Sequence, residues 1–240
     1  MASISFQDFS CFYKTKKGYV TALSHLDFDI EAGVLFVIVG ESGSGKTTLL
    51  KSIAGLSEYV SGNLSIFGTP IDKLDIKHNN TAYIRQEPVL YSNMTIYENI
   101  AFSLRMMHTP QDEVDARVKE VASFLEIDWL LTRKPKQLSG GQQQRVAIAK
   151  AIIKHPEIIL FDEPFSNMDP IGREKMCNLV KQIHAQYHST IVFVTHNLNE
   201  AFSLADKVLV LEEGKIKSIG TPELFYTNID SELLGRYTRP

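Results

Sequence analysis

The sequence predicts an α/β protein built on a mainly parallel sheet with a helical insertion, and three observations carry that reading. Apolar runs rich in β-branched residues recur at 34–39, 158–161 and 190–194, nearly continuous as strands buried on both faces are. Helical patterns lie between them, the order expected of strands joined by crossover helices. Each run also ends in chemically loaded residues, and in an open parallel sheet the ligand crevice lies beyond the carboxyl ends of the strands.

The first run, Val34-Leu35-Phe36-Val37-Ile38-Val39, passes directly into Gly40-Glu41-Ser42-Gly43-Ser44-Gly45-Lys46-Thr47. This is a G-x-x-x-x-G-K-[ST] phosphate-binding loop in its strand-to-helix context. Its glycines let backbone N–H groups wrap phosphates, Lys46 is suited to the β and γ phosphates, and the Thr47 hydroxyl to Mg²⁺. The segment 112–125 places Val114, Val118, Val121 and Leu125 on one face of an amphipathic helix. Residues of about 87 to 155 therefore read as a mostly helical insertion, with 1–86 and 156–240 supplying the sheet-bearing core of a single domain. Within the insertion, Leu138-Ser139-Gly140-Gly141-Gln142 precedes a helical run. It reads as an N-cap at Ser139 and a bare helix start whose outward N–H groups attract an anion.

The second run ends at Asp162-Glu163. Neighbouring side chains on a strand face opposite ways, so the two carboxylates can divide the work. Asp162 is expected to hold Mg²⁺ through water, and Glu163 to orient and polarise an attacking water. Standing alone, such a pair reads equally as a helix N-terminal cap. The third run ends at Thr195-His196, bringing an imidazole to the same edge. His184 and His188 have the i, i+4 spacing of a metal pair, but no carboxylate is interleaved and no third ligand is evident. Runs at 208–211 and 216–219 flank a Gly-containing turn and read as an edge hairpin, and Thr221-Pro222-Glu223 opens a short helix.

Bulk properties narrow the functional classes. A chain of 240 residues buries about 70–75% of its unfolded surface without metal or disulfide support. Hydrophobic residues at 44%, charged residues at 22% and a net charge of −3 lack the basic excess of a nucleic-acid binder, so no nucleic-acid partner is expected. Cys11 and Cys177 form no spacing pattern and read as packing residues in a reducing compartment. The amino terminus has no basic n-region with a long apolar run, and the run at 34–39 is far below the roughly 20 residues that span a bilayer. The expected location is cytoplasmic, with any membrane role exercised through a partner.

With residues 40–47, 138–142, 158–163 and His196 in this order, the chain resembles the nucleotide-binding subunit of an ABC transporter over nearly its whole length. The resemblance implies a P-loop NTPase core with an N-terminal antiparallel β portion, Mg·ATP as the ligand, and phosphate-loop contacts extending to Thr48. It makes Gln86 the Q-loop glutamine that reaches the metal, Asp169 the D-loop aspartate and Tyr13 the aromatic that stacks on adenine, although Phe12 stands beside it. It further implies a head-to-tail dimer in which Ser139, Gly140, Gly141, Gln142 and Asp169 of one copy meet the nucleotide held by Lys46 of the other. Two departures are visible: Lys150 stands where many relatives have Arg, and Asn167-Met168 replaces Ala-Leu.

Residues 88–99, with Met106-Met107 and Phe102-Ser103-Leu104-Arg105, are rich in aromatics and methionine and suit a groove for a partner helix. Core packing accounts for any single residue there equally well. In the family this region receives the coupling helix of the permease, and its wording is most similar to importers fed by a solute-binding protein. The expectation is thus an ATP hydrolase, peripheral on the inner face of the cell membrane, that powers uptake. The alternatives are an export, lipoprotein-release or division-associated ATPase, or a nucleotide switch with little turnover. Too few residues follow 221 for the regulatory carboxyl-terminal domain some importer relatives carry.

Overall fold

The computed structural model describes residues 2–16, 18–74, 80–166 and 168–228. The chain opens with the long strands β1 (Ala2–Thr15) and β2 (Gly18–Glu31), then β3 (Leu35–Val39), helix α1 (Lys46–Ile53), β4 (Tyr59–Ile66), β5 (Thr69–Pro70) and β6 (Thr81–Ile84). Helices α2 (Ile96–Met106), α3 (Gln111–Phe124) and α4 (Gly140–Ile152) separate β6 from β7 (Ile158–Asp162). There follow α5 (Pro170–Tyr187), β8 (Thr190–Thr195), α6 (Leu198–Leu204), β9 (Lys207–Glu212), β10 (Lys215–Gly220) and α7 (Pro222–Asn228).

Among the described residues the strands form two sheets. The larger is six-stranded in the order β10-β9-β3-β8-β7-β6, with β9, β3, β8, β7 and β6 parallel and β10 antiparallel at the edge. The smaller is antiparallel, in the order β2-β1-β4-β5. Central strands β3, β7 and β8 are buried at every position. Their side chains alternate between two cores, as the pleat requires. Leu35, Val37, Val39, Phe161 and Phe193 face a core built with α2–α6, which runs without a break from the sheet into the helices between β6 and β7. Phe36, Ile38, Leu160, Val192 and Val194 face a second core closed by β1, β2, β4 and α1. Each of these large side chains contributes about 1.5–3 kcal/mol by leaving water, which holds the strand ends in place.

Register then places the chemistry. Val39 lies opposite Thr195 and Asp162 opposite Val194, so the chain leaves β3, β8 and β7 at one level, at adjacent positions along one sheet edge. Strand β6 and the long N-terminal pair β1 and β2 carry no continuous apolar run, which is why the residue pattern did not disclose them. The edge hairpin is β9 and β10, with a bulge between Ile216 and Ser218. Among the described residues no helix is long and apolar enough to cross a membrane.

Candidate functional site

The loop from Gly40 to Lys46 is shaped by close backbone approach. A Cβ on Gly40 would stand 2.3 Å from the Leu211 carbonyl oxygen, which only glycine avoids. Gly45, at φ 105°, is the N-cap of α1 and supplies no side-chain cap, so the first amides of that helix are bare. Lys46 is buried, and its ammonium donates to the Gly40 and Glu41 carbonyls at 2.8 and 2.9 Å. Ser44 Oγ is buried in the same loop with no hydrogen-bond partner. A buried hydroxyl left unpaired is costly unless a further group meets it.

Asp162 is held from two sides: Thr47 Oγ1 donates to Oδ1 at 2.8 Å and Tyr83 Oη to Oδ2 at 2.7 Å. Burial, then the adjoining Asp162 carboxylate, pushes the Tyr83 phenol well above its ordinary value. Glu163 leaves the strand at φ 45°, a left-handed conformation that costs a non-glycine residue about 1–3 kcal/mol and is characteristic of sites under functional constraint. The turn joins two partners through one carboxylate. His196 Nδ1 donates to Glu163 Oε2 at 2.9 Å, and Lys46 Nζ lies 3.4 Å from Oε1. Lys46, Thr47, Asp162, Glu163 and His196 thus form one linked cluster, with the imidazole on its solvent side.

The remaining predicted residues stand apart from that cluster. Ser139 is the N-cap of α4, as expected, but the helix start is bare only in part. Ser139 Oγ accepts the Gln142 amide at 3.3 Å and the Gln142 side-chain oxygen accepts the Ser139 amide at 2.9 Å, a reciprocal capping box. Helix α1 has no side-chain cap at all. At α4 the amides of Gly140 and Gly141 have no protein partner among the described residues, and nothing lies within 4 Å of a Cβ built on either glycine. Asp169 caps α5, its Oδ1 accepting the Gly172 amide at 2.9 Å, which holds its carboxyl below the usual range. Gln86 Nε2 donates to Ser166 Oγ at 3.0 Å and is not a partner of Thr47 or Asp162. Tyr13, at 44% exposure, hydrogen-bonds Thr48 Oγ1 through its hydroxyl at 2.9 Å, which ties β1 to the helix after the loop. Its neighbour Phe12 shares the rim of a cavity of about 410 Å³ with it.

His184 Nε2 donates to the Gly33 carbonyl at 2.8 Å and His188 caps the end of α5, so each has a structural task. Asn167 lies outside the described residues. Sequence reasoning missed Tyr83 and Ser166, whose relevance depends on β6 pairing with β7 and on the turn after Glu163. It also missed the capping box, although Ser-x-x-Gln spells one.

Residues 23–166, more than half of the chain, match the family model described as ABC transporter. The sn-glycerol-3-phosphate import ATP-binding protein UgpC of Psychromonas ingrahamii is 44% identical over 86% of this chain and 56% of its own length. The lactose transport ATP-binding protein LacK of Rhizobium radiobacter is 42% identical over 89% of this chain and 59% of its own length. The chain thus spans a little over half of these relatives. Among solved structures, the ATP-binding cassette MJ0796, dimeric in a post-hydrolysis state with ADP and Pi, superposes with a TM-score of 0.81 at 29% identity, covering 91% of this chain and 98% of that one. CbiO1 of Clostridium perfringens, part of the transporter complex cbiONQ, gives a TM-score of 0.85 at 26% identity over 98% of this chain and 94% of that one. The linked cluster therefore sits in a fold shared with solved cassettes, and the chain belongs to the ABC transporter family.

Proposed function

We propose that this chain hydrolyses Mg·ATP as a pair of identical copies and that the hydrolysis drives solute uptake through a separate membrane permease. The observation that carries the reading is the cluster of Lys46, Thr47, Asp162, Glu163 and His196 on adjacent strand ends, combined with a glycine-edged helix start whose Gly140 and Gly141 amides have no partner among the described residues. In this assignment the amides from Gly40 through Thr48, with the unpartnered Ser44 hydroxyl, cradle the phosphates, Lys46 meets the β and γ groups, and Tyr13 stacks on adenine. Glu163 orients the attacking water. His196, its Nδ1–H committed to Glu163, offers Nε2 to that water or a γ-phosphate oxygen.

Thr47 and Asp162 are hard oxygen donors already 2.8 Å apart, a donor set that suits Mg²⁺ completed by phosphate oxygens and water. The metal supplies charge neutralisation at the phosphates. Gln86, whose side chain is bonded to Ser166, would add a further oxygen donor to this set. Ser139, Gly140, Gly141, Gln142 and Asp169 serve the nucleotide of the second copy.

Direction and partners rest on the relatives' names and on one surface. Val89, Tyr91, Met106 and Met107 are exposed around the start and end of α2. Lys150 organises the face beside them, its ammonium 3.9 Å from the centre of the Tyr91 ring and donating to the Val89 carbonyl at 3.2 Å. We assign this face to the permease, which places the chain peripherally on the inner face of the membrane, with a solute-binding protein acting through the permease. Residues 87–155 are the unit assigned to that contact, and the rest of the chain to the nucleotide. Glu163→Gln is expected to bind ATP, to hydrolyse it roughly 10²- to 10⁴-fold more slowly, and to accumulate as a dimer on size exclusion with Mg·ATP. Turnover at the wild-type rate overturns the role of Glu163, and a monomer with bound ATP overturns the pairing.

A further inference from the structure

Contacts continue beyond His196 into the protein. Thr195 Oγ1 donates to Glu200 Oε2 at 2.6 Å and accepts the Asn197 amide at 3.0 Å, so one hydroxyl grips the backbone on both sides of the histidine. Glu200 sits in the first turn of α6, only 7% exposed. Its other oxygen faces α5, where Arg173 Nε lies 3.2 Å from Oε1. That N–H has no hydrogen-bond partner, so the contact is Coulombic rather than directed. The directed bond of the guanidinium runs from Nη2 to the Met168 carbonyl at 3.3 Å. Met168 immediately precedes Asp169, the N-cap of α5.

A continuous line thus joins the segment ending at Asp169 to the imidazole: Met168 carbonyl, Arg173, Glu200, Thr195, then His196 against Glu163. The charge on Glu200 is not the cheapest way to fasten α6 to α5. Burial raises its carboxyl above the ordinary value, opposed in part by Thr195 and Arg173. A neutral side chain of the same shape would satisfy Thr195 without the cost of burying a charge. A cavity of about 520 Å³ flanks the pair, lined in part by Arg173, Cys177, Asn197 and Glu200, and leaves the guanidinium room to follow Met168.

We propose that Arg173 and Glu200 are positioning residues that set how His196 meets Glu163 according to where the Met168–Asp169 segment is held. The proposal rests on the hydrolytic reading above, in which that segment meets the second copy, so that pairing of two chains is transmitted to the imidazole. Lysine at 173 keeps a charge toward Glu200 but has no second arm for Met168, and glutamine at 200 keeps the Thr195 acceptor but not the charge.

The test measures ATPase kinetics of Glu200→Gln and Arg173→Lys in the wild-type and His196→Ala backgrounds, with ¹⁵N-histidine NMR of the same proteins. Expected are a fall in kcat of about tenfold for either change in the wild-type background, with KM for ATP held within about twofold. No further fall is expected once His196 is removed, and the His196 ring nitrogen resonances should move in both single variants. A loss by the same factor in both backgrounds would mean an independent structural role and overturns the proposal, as does wild-type kcat in Glu200→Gln or an unmoved His196 resonance. A wild-type chain without ATPase activity would sink the hydrolytic reading instead. The NMR arm needs no turnover and still reports whether the imidazole follows Glu200.

Discussion

Tyr83→Phe removes one hydroxyl and nothing else, which makes it a clean probe of how Asp162 is held. In the native protein the two carboxylate oxygens are divided between Thr47 and Tyr83, at 2.8 and 2.7 Å. Phenylalanine leaves Oδ2 of a buried carboxylate without its donor, while the ring keeps its packing against the second core. A hydrogen bond to a charged group contributes about 1.5–3 kcal/mol net. In a chain of this size each kcal/mol moves the melting temperature by about 2–4 °C. Urea unfolding at pH 7 should show a lower midpoint with an unchanged slope, because the native area is unchanged. The pH dependence has a definite sign. Burial and Asp162 raise the folded phenol above its unfolded value of 10.0, so its contribution is complete below pH 10 and is lost as the pH climbs from there toward the folded value. Wild type should therefore lose stability above pH 10 more steeply than the variant. Equal midpoints at pH 7, or parallel losses above pH 10, would refute the reasoning that Tyr83 secures Asp162.

Mixing Lys46→Ala with Ser139→Ala chains, each inactive alone, should restore ATPase to at most about half per dimer, because one of the two shared sites then has both residues; a mixture as inactive as its components refutes the sharing. Gly141→Ala should leave the isolated chain as stable or more so, by up to about 1 kcal/mol, yet slow ATPase and weaken the ATP-dependent dimer on size exclusion. Glu200→Gln should unfold at a higher temperature than wild type at pH 7, because the raised carboxyl favours the folded state only below its unfolded value of 4.5 and opposes it as pH rises. Thermal melts at pH 4 and pH 7 check that sign, with the difference between the two proteins shrinking at the lower pH.

What the sequence disclosed and what it withheld divide along a physical line. The loop from Gly40 to Thr47 was legible because the pattern that marks it is contiguous, and β3, β7 and β8 because burial on both faces leaves a nearly continuous apolar run. The β1 and β2 pair alternates irregularly and is broken by register shifts, as at Phe6 and Phe9, so no single period marks it. Tyr83 was illegible for another reason: it matters only because β6 pairs with β7, and strand neighbours are set by the whole sheet rather than by local pattern. Arg173 and Glu200 share that difficulty, since α5 and α6 meet only after the chain has passed through β8. The Ser139 capping box was present in the spelling of residues 139–142. The expectation of a bare helix obscured it.

Among the described residues, nothing within one chain requires glycine at the two positions after Ser139. They occupy the first helical turn, where glycine is a weaker helix former than alanine, and no neighbour among the described residues crowds the position where a side chain would stand. The contrast with Gly40 is direct, since there a Cβ would meet the Leu211 carbonyl at 2.3 Å and the fold itself demands glycine. The capping box satisfies Ser139 and Gln142 but leaves the Gly140 and Gly141 amides without a partner among the described residues. Bare amides with room for close approach suit an anion, and the cluster proposed to hold the chain's own nucleotide lies at the ends of β3, β7 and β8, linked by no hydrogen bond to α4 among the described residues. On the reading proposed above, a phosphate held by a second copy is the anion those amides would meet. That match is the strongest physical reason to treat two chains as the working unit.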